Sequence, residues 1–345
     1  MQKKKKIIWA LVALVLMVLT FRTVLRMGEQ LSLRSLLQLL SHANRGWLIL
    51  SVLSMLCFIF FEGEALLLIL RVFGWRKGLA DGILYSAGDI YFSSITPSAS
   101  GGQPASAFFM LRGGIPGAVV TVTLLVNLMA YTMATLGVGA AALVLRPRLF
   151  LAMSRPAKAL VLLGFVLLVV LTAVFLGLLR HGEGLFRAGA WGLLLLARLH
   201  LVRDRDAALA KLRGMVDQYE QCAGMLRGKG LPMLGVLLLD MAQRIAQVSV
   251  TPLVHLALER EGADPLSVWA ASTFAQIGSN CMPVPGGMGI ADYLLYQGFS
   301  PLMDRVSALQ LGLISRSVTF YLCMFLSGAV TLLGFLLVRR RKMGK

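Results

Sequence analysis

Six long apolar segments constrain this chain more than any other feature, because each can cross or nearly cross a lipid bilayer. They are Ile7–Phe21, Trp47–Leu70, Gly117–Leu145, Leu160–Leu179, Leu231–Leu258 and Val306–Val338. Apolar residues make up 57% of the 345 residues, which places the chain in the membrane class. The sequence therefore predicts an all-α polytopic membrane protein with about six full transmembrane helices.

Two further apolar segments, Leu79–Arg112 and Pro265–Ser300, are each interrupted once. The first break, Thr96–Ala105, reads TPSASGGQPA, and the second, Met282–Ala291, reads MPVPGGMGIA. Because prolines and a Gly-Gly pair do not suit a straight transmembrane helix, we expect each segment to form a re-entrant hairpin of two half-helices. Matched breaks in two halves are typical of an inverted repeat with a site near the bilayer midplane.

The chain is interpreted as one integral membrane domain, residues 1–345. Its first half is 1–179, with the hairpin at about 79–112, and its second half is 231–345, with the hairpin at about 265–300. The stretch 180–230 mixes charged and apolar residues, which indicates one or two amphipathic helices on the cytoplasmic face. We interpret it as a connector; the alternative is a lateral gate or an element that senses headgroups.

The formal net charge of +18 is best explained by membrane anchoring. Lysines and arginines lie at the ends of apolar runs without interleaved aromatic residues, so no nucleic-acid partner is expected. With both termini cytoplasmic, the inner side carries more than twice as many Lys and Arg as the outer side, as the positive-inside rule favours. The expected location is a bacterial or archaeal cytoplasmic membrane, with Ile7–Phe21 as an uncleaved first span.

Ionisable side chains within membrane segments are costly and are therefore candidates for a substrate site. They are Glu62, Glu64, Asp89, Asp240, Arg244, Asp292 and Arg316. Asp240 and Arg244 lie one helical turn apart, which suits either a structural salt bridge or a substrate site. Arg316 is expected to contact an anionic phosphate or to pair with Glu62, Glu64 or Asp292.

Uncharged polar residues near the breaks extend this candidate site. Ser98, Ser100, Gln103, Asn127, Gln276 and Asn280 supply hydrogen-bonding groups. The half-helices that follow the breaks present N–H groups that favour phosphate. The alternative is that the small residues of the breaks only allow close helix packing.

At these two motifs the chain resembles the bacterial and archaeal family that includes the membrane domain of lysylphosphatidylglycerol synthases and its stand-alone flippase-like relatives. The resemblance implies translocation of a phospholipid or another anionic amphiphilic lipid between leaflets. The positions that it assigns to the hairpins are Thr96, Pro97, Gly101, Gly102, Pro283, Pro285, Gly286, Gly287 and Gly289. The second motif is one residue shorter between its first proline and the Gly-Gly pair, a departure from strict symmetry.

In the two-domain members of that family, a soluble aminoacyltransferase domain follows the membrane domain. This chain stops at Lys345. We therefore expect no aminoacylation by this chain, and a separate lipid-modifying enzyme is a candidate partner.

A lipid flippase or scramblase-like transporter is the leading functional hypothesis. The alternatives are a membrane glycosyl- or phosphotransferase for a lipid-linked substrate and an ion-coupled transporter of small solutes. No catalytic residue, metal or cofactor is expected, because the sequence contains no Walker A, HExxH, CxxC or dinucleotide motif. The expected partners are a membrane lipid and, in a homodimer, a second copy of the chain.

Overall fold

The computed structural model describes residues 41–96, 99–180, 184, 186–187, 190–191, 205–226, 228–258, 263–280, 287 and 289–343. The helices are α1 (Arg45–Val72), α2 (Leu79–Ile95), α3 (Gly102–Arg112), α4 (Gly117–Leu145), α5 (Pro147–Ala152), α6 (Arg155–Arg180), α7 (Arg205–Gly224), α8 (Gly230–Ala257), α9 (Pro265–Asn280), α10 (Ile290–Phe299), α11 (Arg305–Arg316) and α12 (Cys323–Met343). A six-residue π-helix, Ser317–Leu322, joins α11 to α12.

Five helices are long and apolar enough to cross a membrane: α1, α4, α6, α8 and the continuous helix Arg305–Leu336. Each coincides with a predicted apolar segment. No β-strand occurs in the described part of the chain. The prediction of an all-α polytopic membrane protein is confirmed, while the predicted first span, Ile7–Phe21, lies outside the described residues.

Each broken segment forms two helices that pack against each other: α2 with α3, and α9 with α10. At 1.5 Å per residue, α3 and α10 are only about 16 and 15 Å long, about half of the ~30 Å hydrocarbon layer. These lengths suit half-helices that turn back within a bilayer. Re-entry and the inverted relation between the two pairs stay predictions.

The crossing of α1 and α2 depends on two glycines in direct contact. A Cβ on Gly63 would lie 2.8 Å from the carbonyl carbon of Gly82, and one on Gly82 would lie 2.9 Å from the oxygen of Gly63. Only residues without a side chain allow this approach of two backbones. The contact brings Glu62 beside Ser86 in the interior.

The ends of two helices are joined by an ion pair at the surface. Arg146, at the end of α4, lies 2.6 Å from Asp264, which precedes α9. Hydrogen bonds from Arg146 hold the pKa of the Asp264 carboxyl at about 2, well below its ordinary range. The pair therefore stays ionised over the physiological pH range and fixes the start of α9 against α4.

The connector helix α7 packs mainly on α4 and also contacts α6. Val216 and Tyr219 are buried, and the Tyr219 hydroxyl donates a hydrogen bond to the carbonyl oxygen of Leu178 in α6, at 2.8 Å. The opposite face of α7 is exposed and carries the Arg213–Asp217 ion pair. The helix α7 thus has one buried and one exposed face, while the cytoplasmic connector of residues 180–230 stays a prediction.

Candidate functional site

A cavity of about 640 Å³ lies within the helix bundle. Its wall includes residues from α1, α2, α3, α4, α6, α8, α9, α10, α11, the π-helix and the start of α12. Both helix pairs that flank the sequence breaks therefore contribute to one wall. Many of the candidate polar residues meet at this cavity.

Glu62 of α1 is a buried carboxylate of the cavity wall. Its Oε2 accepts hydrogen bonds from the Ser86 hydroxyl at 3.3 Å and from Gln243 Nε2 at 3.0 Å. Glu64 faces elsewhere and pairs with Arg71 at 3.5 Å. Because two residues along a helix point about 200° apart, one of these two acids faces the cavity and the other does not.

Asp89 of α2 joins the two helices of the first pair. Its Oδ1 accepts from Ser93 at 3.0 Å, and its Oδ2 accepts from Gln103 Nε2 of α3 at 2.7 Å. A Cβ on Gly102 would collide with the Asp89 carboxylate and the Ser93 hydroxyl. Gly102 thus provides the space in which the carboxylate closes the turn between α2 and α3.

Arg244 of α8 extends into the cavity between two aromatic rings. Its guanidinium carbon lies 4.9 Å from the ring centre of Phe58 and 4.4 Å from that of Tyr131, which suits cation–π attraction. Its Nη1 donates to Gln247 Oε1 at 2.7 Å, and its Nε has no hydrogen-bond partner among the described residues. A guanidinium on the wall of a polar cavity suits the binding of a phosphate oxygen.

Asp240 lies one turn before Arg244, yet it does not line the cavity. It is completely buried, and neither carboxylate oxygen has a hydrogen-bond donor within the described structure. No hydrogen bond joins it to Arg244, whose side chain is held by Gln247 and the two rings. The structural salt bridge that the spacing allowed is therefore not formed.

Arg316 lines the cavity at the end of α11 and has an acidic partner. Its Nε lies 3.0 Å from Asp292 Oδ1, and its guanidinium carbon lies 5.2 Å from the Phe320 ring. Asp292 itself lies outside the cavity wall and also accepts from the backbone N–H of Gly289 at 3.0 Å. The first turn of α10, which we expected to face phosphate, is thus capped by its own aspartate.

Polar residues of α4 and α9 complete the wall. The Tyr131 hydroxyl donates to Asn280 Oδ1 at 2.9 Å and so links α4 to α9. Asn127, buried in α4, has a side-chain oxygen without a partner in the described part of the chain, and Gln276 lies one turn before Asn280. These groups offer donors and acceptors to a polar ligand.

The hairpin residues mainly shape the turns. Thr96 Oγ1 accepts from the backbone N–H of Gly101 at 2.9 Å, and Gly289 has the positive φ of 79° that glycine favours. Gly287 lines the cavity, whereas Ser100 is exposed and lies outside its wall. The remaining motif positions lie outside the described residues: Pro97, Ser98, Pro283, Pro285 and Gly286.

One side of the cavity is apolar and comes from α6. Leu167, Leu168, Val170, Leu171 and Phe175 line it there. This helix packs against α4 and α9 and makes only sparse contact with α8 and α11. The cavity therefore has a charged, hydrogen-bonding wall opposite a hydrocarbon wall, an arrangement that matches an amphiphilic ligand.

The sequence reasoning missed several polar residues of the wall. Gln243, Gln247, Tyr131, Ser272, Ser279 and Thr319 line the cavity. A signal was present in α9, where Ser272, Gln276, Ser279 and Asn280 recur at intervals of three and four and so share one helix face. Gln247 could have been found in the same way, since it lies three residues after Arg244.

Metal-site chemistry has no visible basis in the described residues. They include no group of three or more His, Cys, Asp or Glu side chains placed to hold a metal ion. Cys57, Cys222 and Cys323 are free thiols there.

A family model that matches almost the whole length of the chain identifies its family. No curated protein matches the chain significantly, and no solved structure does. The family model described as the lysylphosphatidylglycerol synthase TM region matches residues 7–327, which include both broken segments and every described residue of the cavity wall. The chain belongs to the lysylphosphatidylglycerol synthase transmembrane-region family.

Proposed function

We propose that this protein moves a phospholipid or another anionic amphiphilic lipid between the leaflets of a bacterial or archaeal cytoplasmic membrane. The observation that carries the proposal is the two-sided cavity of about 640 Å³. Its polar wall suits a headgroup, and its hydrocarbon wall suits acyl chains. Membership of a lipid-related membrane family supports the same assignment.

Arg244 is the proposed headgroup contact. It lines the cavity and lies between two aromatic rings. Arg316, which also lines the cavity, has its Nε within 3.0 Å of Asp292 and contributes less free charge. The phosphate of a lipid would therefore approach Arg244 first, with Asn127 and Gln276 beside it.

Movement of a headgroup across the bilayer also requires a path for the acyl chains. The sparse contact of α6 with α8 and α11 supports a lateral opening along the hydrocarbon wall. In this arrangement the headgroup stays in the polar cavity while the acyl chains remain in contact with α6 and the surrounding lipid. Alternating exposure of the site by the two halves would move the lipid between leaflets.

The test is a lipid-flipping assay with purified protein in liposomes that contain a fluorescent phosphatidylglycerol. Wild-type protein is expected to speed the exchange of label between leaflets, and Arg244→Gln to slow it about tenfold or more, because a charge-assisted hydrogen bond contributes roughly 1.5–3 kcal/mol. Arg213→Gln, on the exposed face of α7, is the matched control and should match wild type.

Exchange no faster than in protein-free liposomes would contradict the proposal. Formation of a new product from a donor lipid by the purified protein would favour the transferase alternative instead. Flux of a small solute in the same liposomes, without lipid exchange, would favour the ion-coupled alternative.

A further inference from the structure

Asp240 is an unusual ionisable residue, because neither water nor a hydrogen-bond donor within the described structure contacts its carboxyl group. Its side chain is 0% exposed, and both carboxylate oxygens are without a hydrogen-bond donor among the described residues. An ionised carboxylate in such a place costs several kcal/mol, whereas the neutral acid is tolerated. The surroundings of Asp240 therefore fit a carboxyl that carries a proton.

The other buried acids of this region differ in one respect. Glu62 accepts hydrogen bonds from Ser86 and Gln243, and Asp89 accepts them from Ser93 and Gln103. Donors of this kind stabilise the charged form of a carboxylate. Among the three acids, Asp240 is thus the one without a hydrogen-bond donor within the described structure, so only a nearby cation could stabilise its charged form.

Arg244 is that neighbour. It lies at i+4 from Asp240 on the same face of α8, so a rotation about its side-chain torsions brings the guanidinium to the carboxylate. In the present structure it points into the cavity instead, bonded to the neutral amide of Gln247. The guanidinium of Arg244 thus has two alternative partners: the carboxylate of Asp240 and a ligand in the cavity.

We infer that Asp240 is a proton-binding site whose protonation decides where Arg244 points, and that lipid binding is thereby coupled to a proton. With the proton on Asp240, Arg244 faces the cavity and binds the anionic headgroup. When the carboxyl releases its proton to water, Arg244 turns back and neutralises the carboxylate, and the headgroup loses its cationic partner. The binding of lipid in this cycle rests on the proposed function, whereas the protonation of Asp240 does not.

The titratable and charged groups around this pair come from most of the elements packed there. Glu62 of α1 acts electrostatically on Asp240, as does Arg244 itself. Tyr131 of α4, Asp89 of α2, Arg316 of α11 and Cys323 of α12 line the cavity on the Arg244 side. No residue of α9 carries a charge. Among these groups, only Arg244 lies one helical turn from Asp240 on the same helix.

The protonation of Asp240 is tested by infrared difference spectroscopy of the full chain in lipid nanodiscs, recorded over a range of pH. A carbonyl band of a protonated carboxylic acid is expected in the wild type and in the surface control Asp217→Asn, and it should be missing in Asp240→Asn. A band unchanged in a folded Asp240→Asn would overturn the inference. This measurement does not depend on lipid transport.

The coupling is tested by measuring the affinity for phosphatidylglycerol in nanodiscs as a function of pH. For one linked proton, wild-type affinity falls by up to about tenfold per pH unit as the pH rises through the titration. Asp240→Asn, which is always neutral, should bind tightly with no such dependence. If Asp240→Asn does not fold, Arg244→Gln serves instead, because it should keep the carboxylic acid band and lose the pH dependence of binding.

The wild-type pH dependence retained by either folded variant would refute the coupling. Absence of binding and of flipping in the wild type at every pH would refute the proposed function. In that case the infrared band alone would still decide whether Asp240 carries the proton.

Discussion

At the scale of single residues, the site depends on how a few polar side chains are paired. Glu62 and Asp89 are each satisfied by two neutral donors, Arg316 by Asp292, and Arg244 by one amide and two rings. A buried polar group that loses its partner costs roughly 1–3 kcal/mol. We therefore expect the pairs that close the turns to contribute to stability, and the cavity-lining guanidinium of Arg244 to contribute to binding.

Gly102→Ala is expected to destabilise the protein by about 1–3 kcal/mol. The added methyl group would overlap the Asp89 carboxylate and the Ser93 hydroxyl and force the hydrogen bond from Gln103 apart. Thermal unfolding in detergent measures the change. The matched control is Gly177→Ala in α6, where a Cβ meets no atom within 4 Å and alanine is the better helix former. Equal melting temperatures for the two variants would contradict this account of Gly102.

At the scale of secondary-structure elements, two helices give the cavity its two-sided character. Helix α6 is the least buried of the five membrane-length helices, and it supplies the hydrocarbon wall. The last membrane-length helix supplies part of the polar wall of the cavity. It contains the π-helix Ser317–Leu322 directly after Arg316. A π-helical segment is often found at functional sites. Here it lies between α11, which packs on α10 and α8, and α12, which packs mainly on α2.

Leu171→Trp, on the cavity side of α6, should slow lipid exchange in the liposome assay, because the indole would narrow the hydrocarbon side of the path. A reduction of about tenfold corresponds to 1.4 kcal/mol in the barrier. Leu162→Trp is the control, since Leu162 is 52% exposed on the same helix and does not line the cavity. The same rate in both variants would show that the α6 wall is not part of the path.

At the scale of the whole molecule, the two broken helix pairs meet at one cavity although they are separated by about half of the sequence. The first pair packs mainly on α1 and α12 and also contacts α4, and the second packs on α4, α5, α6, α8 and α11. If both pairs re-enter the bilayer, the connector and the end of α12 lie on the same side of the membrane. The excess of Lys and Arg predicts that this side is cytoplasmic.

Topology is checked by labelling single cysteines, placed in a chain whose native cysteines have been replaced, with a membrane-impermeant thiol reagent. Asp217→Cys in α7 is expected to react only after permeabilisation of the cells, and Pro301→Cys, between α10 and α11, is expected to react in intact cells. Both side chains are exposed, so access does not limit the reaction. The reverse labelling pattern would invert the proposed orientation, and one common pattern for both sites would contradict the predicted topology.

The sequence by itself determined the membrane class, the family and the bounds of five spanning helices. Runs such as Gly117–Leu145 predict their helices because length and apolarity are local properties, and lipid tolerates only closed backbone hydrogen bonding. The positions of the two breaks could also be predicted from the sequence, because proline and glycine interrupt helices wherever they occur. Opposite orientations of Glu62 and Glu64 also followed from helical periodicity alone.

Only the tertiary structure decided which polar groups meet. Asp292 and Arg316 are joined across α10 and α11, and Gln243 and Glu62 across α8 and α1, through contacts between helices far apart in sequence. Helical spacing placed Asp240 beside Arg244, but the rings of Phe58 and Tyr131, from two other helices, hold the arginine in the cavity. A side chain's partner depends on the packing of all its neighbours, which no local pattern in the chain specifies.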